Sequence, residues 1–177
     1  MPISRVLERL RARGLDALAE VPIDESGRVS DVLEQLVSAG YQEVRLTVEK
    51  ASAADRTALL FEVAAQQDRH GCVRSINPLP MAVSAFRPTT GYEDVKVVAI
   101  ARLAAPNVPT IQVDWIRYGP KLAQVALTFG ADDLDGVSAS NEAPEGRRRA
   151  PVEEVRRNIE AAGFVPVERD GRFNVVT

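Results

Sequence analysis

The chain is poor in the residues that build covalent or metal-bound frameworks: 177 residues contain one cysteine, Cys72, and one histidine, His70. A single thiol excludes an internal disulfide, a thiolate zinc cluster and any self-contained cysteine-ligated iron–sulfur centre, and it fits a reducing compartment. No apolar run approaches the roughly 18 residues that a membrane helix needs, and the amino terminus lacks the basic-then-apolar pattern of a signal peptide. A cytoplasmic protein without membrane contact is therefore expected. Nor does one sign of charge dominate: 22 Lys and Arg against 25 Asp and Glu leave a formal −3, which gives no foothold for nucleic acid.

What the chain does have is alternation. "ISRVLERLRARG" spaces Ile3, Val6, Leu7 and Leu10 as one helical stripe and stops at Gly14, before the short apolar "LDALAEV". "SDVLEQLVSAG", with Ser30 or Asp31 as a possible cap and Val32, Leu33, Leu36 and Val37 as its stripe, precedes the alternating Val44, Leu46 and Val48 of "YQEVRLTVE". A long helix over 52–69, capped by Ser52, leads to "GCVRSINPLPM", a strand closed by Pro78 and Pro80. The helix over 91–105 carries Val95, Val98, Ala99 and Arg102 on one stripe, and "TIQVDW" follows it. "PKLAQVALTFG" and "PVEEVRRNIEAAG" both start with proline and end with glycine; they deliver "DDLDGVS" and "FVPVERDGRFNVV", the latter reading as two short strands about an Asp170-Gly171 turn. About six such alternations predict an α/β fold with a mostly parallel sheet, in one domain over 1–177, with 138–150 a polar surface loop.

Chemistry concentrates where parallel strands end. In "FGADDLDG" a short strand would put Asp133 and Asp135 on one face and Asp132 with Leu134 on the other. Three carboxylates without further oxygen ligands are too few for calcium or magnesium, so neither metal nor cofactor is expected. Two roles stay open for them: turn and ion-pair structure, or acid–base chemistry by Asp133, Asp135 and Glu168, which needs one pKa raised by burial or by a neighbour. "PLPM" (78–81), "QVDWIRYG" (112–119) and "VPVERDGRFN" (165–174) would gather at the carboxyl-end face. Asn77, Gln112, Trp115, Arg117, Arg169 and Asp170 would then line a small-molecule pocket, although Trp115 could equally plug the core. His70 reads as a helix C-terminal residue favoured by the dipole, and Cys72 as a buried, inert thiol.

"VAIARL" (98–103), "VPTIQVDWIRYGPKLAQVALTFGADDLDG" (108–136) and "AGFVPVERDGRFNVV" (162–176) resemble the C-terminal half of the radical S-adenosylmethionine enzymes of the futalosine route to menaquinone and of the related deazaflavin-forming synthases. "LRARGLDAL" (10–18) and the stretch 38–81 are similar to earlier segments of that family, with an apparent deletion between them. The resemblance implies a partial or truncated (β/α) TIM-barrel-like fold. It also implies that "GADDLDG" and "ERD" line or support the substrate end of the barrel. The departures matter as much. The family's Cys-x3-Cys-x2-Cys loop is missing; its glycine-rich "GGGAE" is replaced by "AEVPIDE" (19–25), its Gly-His-x-Glu by "VEKAS" (48–52), and its paired glutamate by a lone Glu142 after "DGVSAS". One cysteine cannot replace three thiolates, so radical chemistry by this chain alone is not expected.

The resemblance thus implies a cluster-free, shortened relative acting as an accessory or partner subunit, with a futalosine-like or nucleoside-like molecule as the candidate ligand. The alternatives are non-radical carboxylate chemistry on a small aromatic or nucleoside substrate, or a folded remnant without separate activity. A (β/α) barrel takes eight strands and about 250 residues. A shorter sheet should leave strand edges and an apolar inner face uncovered, so a homodimer or a full-length homologue is expected as partner, with "VRLTV" or "RFNVV" as the exposed edge.

Overall fold

The computed structural model describes residues 3–25, 27–50, 53–82, 89–137 and 152–176. The expected loop 138–150, Glu142 and the Ser52 cap lie outside the described residues. Five parallel strands, β1 (Ala17–Pro22), β2 (Glu43–Val48), β3 (Val73–Pro80), β4 (Thr110–Asp114) and β5 (Asp133–Asp135), form one sheet in sequence order. The helices are α1 (Ile3–Arg11), α2 (Val29–Ser38), α3 (Ala53–His70), α4 (Gly91–Ala104), the single turn α5 (Trp115–Tyr118), α6 (Pro120–Thr128) and α7 (Val152–Ala161). Successive helices pack on one another, α2 on α3, α3 on α4, α4 on α6 and α6 on α7. They therefore make one layer on one face of the sheet, the arrangement of a partial (β/α) barrel.

Register assigns the faces, because residues paired across a parallel ladder point the same way and alternate along each strand. Leu18, Val44 and Val73 align, as do Val21, Leu46, Ile76 and Ile111, and Val113 with Leu134. These side chains join the apolar core under the helices, with Leu33, Leu60, Val63 and Val98 opposite them. The other, inner face carries Glu43 beside Ala17, Arg45 beside Ser75 and Thr110, Thr47 beside Asn77, and Gln112 beside Asp133.

Several expectations are corrected. The inner face is polar, not apolar. "VRLTV" is not an edge: it lies in β2, paired on both sides, and the outer strands among the described residues are β1 and β5. "RFNVV" makes only an isolated antiparallel bridge, Val175 to Arg169. Pro80 closes β3 as expected, whereas Pro78 sits inside it, where the register jumps between Thr47–Asn77 and Val48–Pro80; such a bulge spares the missing N–H groups, and Asn77 Oδ1 accepts the Leu79 N–H at 3.1 Å. α2 begins on Arg28 rather than on a Ser30 or Asp31 cap, and the Ser30 N–H is taken by the Glu62 carboxylate of α3 at 3.2 Å. α4 buries Asp94, Val97, Val98 and Ala101, a stripe rotated from the expected one because apolar residues occur on every side of this helix.

Candidate functional site

Past α7 the chain returns to the sheet but does not add a strand beside β5. It runs without regular secondary structure through 164–168 and turns back across the amino ends of the strands. Arg172 reaches Asp16, just before β1, with both carboxylate oxygens at 3.1 Å. The segment 165–174 was expected at the carboxyl-end face, and this is a correction. The Asp170 carboxylate folds the turn, accepting the backbone N–H groups of Arg172 (2.8 Å) and Asn174 (2.9 Å) and the Asn174 side-chain amide (3.0 Å). Those donors, the Asn174 side chain foremost, hold the Asp170 carboxyl below its usual range.

This turn delivers Arg169 onto the inner face. Its guanidinium grips Asp133 through both oxygens, Nε at 2.5 Å and Nη2 at 2.6 Å, and Gln112 Nε2 donates to the same carboxylate at 2.7 Å. The bond to Asp133 pushes the Arg169 pKa up, as a bidentate, charge-assisted pair should. Asp133 is thus wholly engaged. Asp135, two residues along the same face, accepts no hydrogen bond among the described residues and feels Arg169 only at a distance. Glu168 lies outside the inner face, paired with Arg156 at 2.9 Å with both side chains about half exposed. Asp132 points the other way, to Arg102 Nη2 (2.6 Å) and the Ile111 N–H (2.8 Å), and burial pushes its pKa up.

At the carboxyl ends, Asp114 caps α5 through the Arg117 N–H at 2.8 Å, while Arg117 Nη1 donates to the Met81 carbonyl and the Tyr118 hydroxyl to the Pro80 carbonyl at 2.6 Å. Gly136 (φ +79°) closes over Asp114: a Cβ there would fall 3.0 Å from its Oδ1. Asn77 is buried in β3 and Trp115 sits in the apolar core at 3% exposure, presenting no indole wall to a ligand. Sequence reasoning missed Arg56 and Asp94, both buried between the first turns of α3 and α4. Asp94 accepts the Thr89 hydroxyl at 3.1 Å, and burial pushes its pKa up. The Thr90–Glu93 capping box, visible as "TGYE", was the signal that could have placed Asp94 in the first turn of α4.

A cavity of about 410 Å³ opens along β5, between α6, α7 and Phe164–Glu168, with Leu127, Leu134, Val155, Ile159 and Phe164 as apolar walls and Asp135 and Arg169 at its rim. The residues present do not fit a three-thiolate cluster: Cys72 is buried, burial pushes its thiol pKa up, and no three of His, Cys, Asp and Glu converge among the described residues. His70 ends α3, as expected.

Comparison with known proteins bears on this arrangement. Residues 79–177 match the family described as the CofH/MqnC C-terminal region. A 5-amino-6-(D-ribitylamino)uracil--L-tyrosine 4-hydroxyphenyl transferase of Archaeoglobus fulgidus is 29% identical over 207 positions, covering 99% of this chain and 60% of that protein. An aminodeoxyfutalosine synthase of Thermus thermophilus is 29% identical over 217 positions, covering 99% of this chain and 56% of that one. Both alignments are longer than the chain, so the relatives hold segments without a counterpart here. In the crystal structure of methylornithine synthase (PylB), 93% of this chain superposes on 56% of that one with a TM-score of 0.66 at 17% identity, which shows the shared fold.

Proposed function

The chain belongs to the family defined by the CofH/MqnC C-terminal region, and from that premise we propose that it acts as an accessory or partner subunit alongside enzymes of this kind. It is a cysteine-poor, radical-SAM-like domain. One observation carries the reading: the inner-face lattice of Gln112, Asp133 and Arg169 is fully formed, while the only thiol, Cys72, is buried. Among the described residues no strand pairs with the outer edge of β1, which supports a partner strand there. The cavity beside β5 has the size of a small-molecule site, and a futalosine-like or nucleoside-like compound is its proposed occupant.

Calorimetric titration with a full-length family enzyme and, separately, with futalosine-type nucleosides tests the two parts. Saturable heat is expected in at least one titration, and silence in both rejects the proposal. Light scattering addresses self-association, since a homodimer would show twice the 19.2 kDa of the chain.

A second reading, acid–base chemistry on a nucleoside or aromatic substrate, is favoured by Asp135 alone, because Arg169 engages Asp133 and Arg156 engages Glu168. Turnover of such a substrate that disappears in Asp135→Asn would support it; equal turnover in both proteins would reject it.

A further inference from the structure

We propose that Arg45 and Arg74 form a binding site for a small oxyanion, the phosphate or carboxylate group of a small molecule, at the amino end of the sheet's inner face, with Phe173 as its apolar platform. None of these three residues lines the cavity beside β5.

The two guanidiniums come from adjacent strands. Arg45 belongs to the inner face by its register with Ser75. Arg74 is the extra residue of a bulge, since Val44 pairs with Val73 and Arg45 with Ser75; a bulge re-aims one side chain, and here it turns Arg74 toward the same ring that Arg45 approaches. Their Cζ atoms lie 4.7 Å (Arg74) and 5.9 Å (Arg45) from the Phe173 ring centroid, and Arg169 lies 4.0 Å from it.

Among the described residues, Arg169 alone of the three cations forms an ion pair, with Asp133. Arg45 and Arg74 make no salt bridge or hydrogen bond among the described residues, and Arg74 Nε is buried without any acceptor. Glu43, on the same face as Arg45, forms no ion pair with it, and Asp16 is engaged by Arg172. A ring face attracts a cation but offers its N–H groups no lone pair, so cation–π contact leaves both forks unfilled. Two part-buried guanidiniums without an ion pair, set against one ring, favour an anion beside them.

The platform is held deliberately. Phe173 has φ +62°, a conformation that costs a bulky residue and persists only where its surroundings enforce it. The Asp170 carboxylate and the Arg172–Asp16 pair clamp the turn on both sides of it. A carboxylate or phosphate could take the guanidinium forks while the ring excludes water from one side.

Arginine Nε–Hε resonances of the full chain, followed by NMR at constant ionic strength against chloride, read the site directly. Inorganic phosphate and benzoate are the probes. The Arg74 resonance is expected to shift saturably with at least one of them. Affinity should fall about tenfold or more in Arg45→Gln and stay unchanged in Arg13→Gln, an exposed arginine of the loop after α1. A response to phosphate alone identifies a phosphate site, a response to benzoate alone a carboxylate site, and equal responses a general oxyanion site. Should Arg45→Gln fail to fold by circular dichroism, Arg45→Lys decides: it keeps the charge but not the fork, and should bind measurably more weakly. No Arg74 shift with either probe, or a shift that the folded Arg45 variant leaves unaltered, overturns the proposal.

Discussion

The two faces of the sheet are both largely closed to water, yet for opposite reasons. Under the helices, Val44, Ile76, Ile111 and Val113 are fully buried, and their exclusion from water stabilises the fold in proportion to area. On the inner face, Ser75, Asn77 and Gln112 are almost as buried, but each brings polar atoms whose desolvation must be offset by a partner. Gln112 has Asp133 and Asn77 has the Leu79 N–H, whereas the Ser75 hydroxyl has no partner among the described residues. The helix side tolerates any well-packed apolar set; the inner side depends on particular pairings, which is where recognition of a ligand or partner can be encoded.

Neighbouring residues of β4 test this contrast most strongly. Ile111→Ala empties a core position and should cost about 2–5 kcal/mol in urea unfolding. Gln112→Ala removes a hydrogen bond to a charged carboxylate and should cost about 1–2 kcal/mol. Equal losses would mean that the inner face is packed like the core and that the distinction is false.

Much of the helix side was legible in the sequence, because period-2 strands such as Val44, Leu46 and Val48 and proline-first, glycine-last helices are local signals. The inner face was legible only in part. Asp133 and Asp135 were correctly set on one face, but the engagement of Asp133 depends on Arg169, 36 residues away. The bulges of β3 that aim Arg74 and absorb Pro78 and Pro80 are register events set by the neighbouring strand. The return of 164–176 across the amino ends was hidden because "FVPV" reads as a strand locally, and only tertiary contacts decide that it does not pair.

The next test separates pairs that look alike on paper. Arg169→Ala leaves the part-buried Asp133 with Gln112 alone, and should cost about 1–3 kcal/mol. Arg156→Ala breaks the exposed pair with Glu168, and should cost under about 0.5 kcal/mol. If the two variants unfold at the same urea concentration, the inner-face pair is no different from a surface one.

Phe173→Gly sharpens the contrast within the turn itself. Glycine relieves the left-handed backbone, a gain of about 1 kcal/mol, but removes ring contacts with three guanidiniums at roughly 0.5–1 kcal/mol each. A net loss of stability of about 0.5–2 kcal/mol is expected. A net gain would show that the ring contributes little and that the turn is held by Asp170 alone.

The smallest effect concerns pH, and its sign distinguishes the turn from the helix side. Asp170 is held below the ordinary carboxylate value of 3.8 by the Asn174 side-chain amide first, then by the backbone N–H groups of Asn174 and Arg172. Its contribution to stability is therefore complete above 3.8 and disappears as pH falls through the lower folded value. Asp132, raised by burial, works in the opposite sense: its ionised form is disfavoured in the folded chain, so this group favours folding more as pH falls through its raised value toward 3.8. As the pH falls toward 3.8 the turn should accordingly stay closed while Asp132 takes up its proton, and only below 3.8 should the turn open. NMR signals of the Arg172 and Asn174 amides report the turn, and the Ile111 amide, bound to Asp132, reports the helix side. The Ile111 signal should move first on acidification and the turn signals last. In Asp170→Asn the late step should vanish and the early one remain. Turn signals that move together with Ile111 in the wild type would show that the two regions titrate as one unit, and would remove the independence on which the contrast between them rests.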